Sequence, residues 1–96
     1  MRKITKEDLC RLFTEAFERL DIPVTALSTI FNFGESSDSA RSAMSAKINS
    51  RKGKLPTASD VQWIQALVVL KDEGYDITSI IFSEFGKIEK IEKTIK

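Results

Sequence analysis

Five cations fall within residues 39–54, SARSAMSAKINSRKGK, and no acid interrupts them. Arg41, Lys47, Arg51, Lys52 and Lys54 are residue types that neutralise phosphates. Ser39, Ser42, Ser45 and Asn49, set between them, are short enough to let a helix backbone approach a polyanion and to hydrogen-bond it. The remainder of the chain offers no such excess. Residues 1–33 hold five bases against five acids, and residues 57–96 hold five against seven, so the net charge is only +1. Binding to a polyanion must therefore come from one face. The competing reading of the same run is a solvated helix face followed by a basic loop.

Other chemistries lack their residues. The chain has no histidine, so imidazole acid–base catalysis and ordinary zinc sites are excluded. Cys10 is the single cysteine; it forms no intramolecular disulfide and falls among apolar positions, as a buried thiol would. Gly34, Gly53, Gly74 and Gly86 each fall at an expected helix end and none forms a phosphate loop. The acids stand beside bases on helix surfaces, and no serine has a candidate base. These absences point to a binding protein and not an enzyme, with no catalytic residue, cofactor or metal. A lone cysteine, no apolar run near the ~20 residues of a membrane span and no signal peptide point to the cytoplasm.

The elements that would carry the basic run read as helices throughout. Thr5 to Asp8 has a capping-box pattern, and Leu9, Leu12, Phe13, Ala16, Phe17 and Leu20 follow at three- and four-residue steps. Asp21-Ile22-Pro23 breaks that helix, and Pro23 is expected at the first position of a second one, whose inner side is Val24, Leu27, Ile30 and Phe31. Gly34 stops it. After the turn from Asn32 to Asp38, Ser37 or Asp38 caps a third helix. Its Ala40, Met44 and Ile48 face inward, with Arg41, Ser45, Lys47 and Asn49 turned partly or wholly outward. Thr57 or Ser59 caps a fourth and most apolar helix, with Thr57 and Asp60 repeating the capping-box pattern, and it ends near Gly74. Thr78 is expected to open a last helical segment. The final stretch KIEKIEKTIK spaces Ile88, Ile91 and Ile95 three and four apart, which predicts an amphipathic helical tail.

The order of these segments is similar to that of the λ-repressor-like helix-turn-helix superfamily, most closely the amino-terminal domains of phage CI-type repressors. The resemblance covers roughly residues 8–86. Leu27-Ser28 stand where the family has Leu-Ala, and Met44-Ser45 where its recognition helix has Ile-Ser. Lys54-Leu55-Pro56 match its basic loop and proline, and residues 74–81, GYDITSII, resemble its closing segment. The turn from Asn32 to Asp38 is several residues longer than the family's. The resemblance implies an all-α, compact four- to five-helix domain over residues 1–86 with a helix-turn-helix, followed by the tail 87–96.

The implied function is sequence-specific binding of double-stranded DNA by a transcriptional regulator, a repressor of phage or mobile-element type, with helix 38–50 reading the major groove. Arg41, Ser42, Ser45, Lys47 and Asn49 would meet bases or phosphates. Ser39 at the helix start would offer backbone amides, and Arg51, Lys52 and Lys54 would clamp the backbone. The stripe Ile88, Ile91 and Ile95 either packs back onto its own domain or joins a homodimer, the regulator being expected to work as a homodimer, with no membrane association. The alternative is a small protein-interaction factor, an inhibitor or adaptor, that uses the basic face or the isoleucine stripe against a protein partner.

Overall fold

A computed structural model describes residues 3–49, 51, 53–84 and 86–94. Four helices come first: α1 (Lys6–Leu20), α2 (Val24–Phe31), α3 (Asp38–Ile48) and α4 (Ala58–Asp72). Two strands follow, β1 (Tyr75–Phe82) and β2 (Ile88–Lys93), paired antiparallel as a hairpin. The fold is thus a small mixed α/β domain, and the all-α expectation with a C-terminal helical tail is wrong.

Helix starts follow the local chemistry closely. Thr5 and Thr57 each form a complete capping box: each hydroxyl accepts the backbone N–H three residues on, and Asp8 or Asp60 accepts the threonine N–H in return. Ser37 caps α3, accepting from the Ala40 N–H at 3.0 Å. Pro23 is the N-cap of α2 with extended backbone, one residue before the position expected of it. At the far end of α2 the Gly34 N–H reaches back to the Thr29 carbonyl at 2.8 Å, but Phe33 occupies the left-handed position, with φ 54°. A bulky side chain there costs about 1 kcal/mol, and the cost is offset by an edge-to-face contact of its ring with Phe82, centroids 6.0 Å apart.

Helices α1 and α4 supply most of the core. Phe13, Leu20, Leu27, Ile64 and Leu67 are fully enclosed, with Val61, Val68, Met44 and Ile77 around them. Lys71 ties the pair at the end of α1, its Nζ donating to the Arg19 and Leu20 carbonyls at 2.8 and 3.0 Å. Ile77 brings β1 onto this core; β1 packs against α4 and α2, whereas β2 packs against β1 alone.

The tail departs from expectation for a physical reason. The stretch after Gly86 gives a helix no partner to pack on, and a helix without packing is marginal in water. Residues 75–82, YDITSIIF, are rich in β-branched and aromatic side chains and offer a ready edge. A turn closed by Ser83 and Lys87, with Ser83 N–H to Lys87 O at 2.8 Å, folds the tail onto it. The separate boundary drawn at residue 86 therefore cuts a hairpin. Ile88 and Ile91 lie on a strand whose alternation a bulge interrupts between Ile88 and Lys90, and they make no helical stripe; Ile95 lies outside the described residues.

Phe13→Ala is expected to cost about 3–5 kcal/mol in chemical denaturation. Deleting residues 87–96 removes the partner of β1 and is expected to cost about 2–4 kcal/mol. An unchanged unfolding midpoint on deletion would show that the tail lies outside the folding unit.

Candidate nucleic-acid interface

Helix α3 carries the basic run with little apolar anchorage. Met44 and Ala46 are its buried residues, and Ala40 and Ile48 are half-buried, so the inward row is shallower than the spacing of four suggests. Polar contacts make up the difference. The Thr14 hydroxyl of α1 lies 3.3 Å from the Ile48 carbonyl oxygen, as well as 3.0 Å from its own helix at Cys10. The Arg51 N–H closes the C-terminus on the Ala46 carbonyl at 2.9 Å.

Lys47 supplies the strongest tie. Its Nζ lies 2.9 Å from Oδ2 of Asp60 on α4, with the two side chains only 27% and 16% exposed. Burial raises the Asp60 pKa, but the Thr57 N–H, the Lys47 ammonium and the Thr57 hydroxyl outweigh it. The carboxyl is held below its ordinary value. One carboxylate thus completes the cap of α4 and pins α3 to it. Lys47 thereby has a structural partner among the described residues, and its value as a ligand contact falls accordingly.

The remaining candidates divide by exposure. Ser39, Arg41, Ser42 and Asn49 are exposed on α3, with Ala43 beside them; Ser45 is half-buried. Arg51 and Lys54 are exposed in the loop after it, and neither forms an ion pair with a described residue. Lys52 lies outside the described residues. Arg41 Nη2 meets Asp38 Oδ1 at 3.2 Å, but both are well exposed, at 54% and 96%, so this pair is weak and easily exchanged for another anion. Asn49 Nδ2 donates to the Ser45 carbonyl at 2.9 Å, which turns it back along its own helix.

Two acids at the interface escape a reading by charge run alone. Asp38 puts a carboxylate in the first turn of α3, where Ser39 would offer its amide to a phosphate. Asp60 belongs to a different helix, and only the tertiary fold, with α3 packed on α2 and α1, brings it within reach of Lys47. In the sequence Asp38 is plain as the residue before the run, whereas Asp60 announces itself only as a capping residue.

Helices α2 and α3 are adjacent and packed together, and residues 32–37 join them by the long turn that the sequence implies. Residues 74–81, matched to the closing segment of the CI-type repressors, instead enter strand β1. Comparison with protein-family models, with curated proteins and with solved structures finds no match for this chain. Among the described residues no helix is long and apolar enough to cross a membrane.

Linkage at Asp60 fixes a pH dependence. Its folded-state pKa lies below the unfolded one, so its stabilisation is complete above pH about 4 and is lost as pH falls through the folded value. Asp60→Asn is expected to lose about 1–2 kcal/mol at pH 7. The gap from the wild type should narrow as both are unfolded thermally at progressively lower pH. A constant gap down to pH about 2 would show that the charge of Asp60 contributes nothing.

Proposed function

We propose that this chain is a sequence-specific, double-stranded DNA-binding regulator of phage or mobile-element type that presents α3 to the major groove. The observation that carries this reading is the outer side of α3. Ser39, Arg41, Ser42 and Asn49 are exposed there with a small residue, Ala43, between them, and exposed Arg51 and Lys54 follow directly in the chain. Small side chains allow a backbone to sit deep in a groove, Arg41 can grip a guanine edge, and loop cations suit phosphates. The sequence resemblance to CI-type repressors supports the same docking mode.

A second reading, a small protein-interaction factor, is favoured by a different feature. A groove of about 440 Å³ between α2, α4 and the hairpin is lined by Phe31, Phe33, Trp63, Phe82 and Ile88, with Phe33 and Ile88 exposed. A stoichiometric protein partner on purification, with no duplex binding, would favour it over DNA.

Duplex binding across a salt series tests the first reading. With Lys47 held by Asp60 and Arg41 assigned to a base edge, Arg51, Lys52 and Lys54 leave three phosphate contacts per chain, which gives a log–log slope of about −2 to −3. A slope near zero, or no binding at low salt, would end the proposal. Lys54→Ala should weaken all duplex sequences alike, whereas Arg41→Ala should change base preference. Asp38→Asn, which removes a carboxylate from the helix start and releases Arg41, should tighten binding about two- to fivefold; weaker binding would mean that Asp38 positions Arg41 for contact.

A further inference from the structure

Strand β2 has one free edge, and its charge pattern fits a second copy of itself. β2 packs against β1 and no other element, and Glu89, Lys90, Glu92 and Lys93 are all exposed. The Glu92 N–H points inward to the Ser79 hydroxyl at 2.8 Å, and the Thr94 N–H points inward to the Gly74 carbonyl at 2.6 Å. Strand alternation therefore turns the N–H and C=O groups of Ile91 and Lys93 to the open side. A bulge ends the regular edge, because Ile81 pairs with Lys90 while Phe82 pairs with Ile88.

We infer that two copies of this chain associate by antiparallel pairing of β2 with β2, with the two-fold axis passing through Ile91. Outward-facing residues must meet outward-facing residues, which restricts the register to steps of two. Moving the axis one residue onward sets Glu92 against Glu92; moving it one residue back sets Lys90 against Lys90. With Ile91 opposite Ile91, Lys90 faces Glu92 of the second copy and Glu89 faces its Lys93. By symmetry each of these pairs occurs twice. The segment 89–93, EKIEK, inverts its charge signs about its own centre. An edge protected from association by charge would instead repel its own copy in the permitted registers. The product is a four-stranded sheet, β1-β2-β2-β1, across the two-fold axis, in place of the helical isoleucine stripe that the sequence suggested.

The occupant is thus a second copy, and the inference stands or falls without DNA. A strand of six residues buries little area, so the dimer is weak, in the micromolar range or above. Sedimentation equilibrium of the full chain, from about 10 μM to 1 mM at low salt, is expected to show a monomer–dimer equilibrium that weakens as salt rises. Lys90→Glu, which sets two pairs of like charges face to face, should weaken dimerisation about tenfold. The double variant Lys90→Glu/Glu92→Lys restores opposite charges and should recover the wild-type constant to within about threefold. Ile91→Pro deletes an outward N–H while leaving the inward bonds of Glu92 and Thr94, and should abolish the dimer with helical circular dichroism retained. A chain still monomeric at about 1 mM, a dimer indifferent to Lys90→Glu and Ile91→Pro, or a double variant that stays as weak as the single one would each overturn the inference.

Discussion

One partly buried ion pair ties α3, which packs on α2 and α1, to the start of α4. The enclosed side chains of α3 are Met44 and Ala46 alone, so it brings little apolar surface to its packing. Lys47 and Asp60 supply what burial does not, at 2.9 Å and largely out of solvent. Asp60 is itself held by the start of α4, whose capping box turns its carboxylate toward α3. The frame built by Phe13, Ile64 and Leu67 through α1 and α4 is thereby transmitted to the polar helix. A partly shielded ion pair whose carboxylate is also hydrogen-bonded offsets its desolvation and holds a fixed geometry, and removing one partner leaves the other charge uncompensated.

The same pair reshapes the basic run. Read as charge, residues 39–54 carry five equivalent cations. In the fold, Lys47 serves the interior, Arg41 exchanges its charge with Asp38, and Arg51 and Lys54 remain exposed and unpaired among the described residues. A helix that presents few fixed charges and several short side chains suits close approach with selective contact. A loop with exposed cations suits a grip without sequence preference. The division follows from which residues face α4, a property of packing and not of composition.

The hairpin gives the domain its second surface. Ser79 acts as an internal bridge, accepting from the Glu92 N–H and donating to the Asp76 carbonyl at 2.6 Å, so β1 can bulge without leaving that amide unpaired. Phe33, strained at the end of α2, and Phe82 on β1 join the hairpin to the helices at the rim of an apolar groove. Backbone strain at an exposed aromatic is retained where the surroundings over-determine it. Here the edge contact with Phe82 and the close approach of Gly86, where an added Cβ would lie 3.4 Å from the Phe33 ring, do so.

Local chemistry alone determined where the helices begin and which residues of α1 and α4 face inward. The capping boxes at Thr5 and Thr57 and the steps from Phe13 to Leu20 are interactions within a few residues, legible wherever the chain is read. The chemistry of α3 was legible as residue types. Tertiary structure decided which of them are free, because the partner of Lys47 belongs to another helix. It also decided the tail. Isoleucines three and four apart are compatible with a helix, but a helix with nothing to pack on yields to a strand whose hydrogen-bonding partner, β1, lies one turn away. Periodicity describes which faces a segment could present; the neighbour that accepts its backbone bonds selects among them.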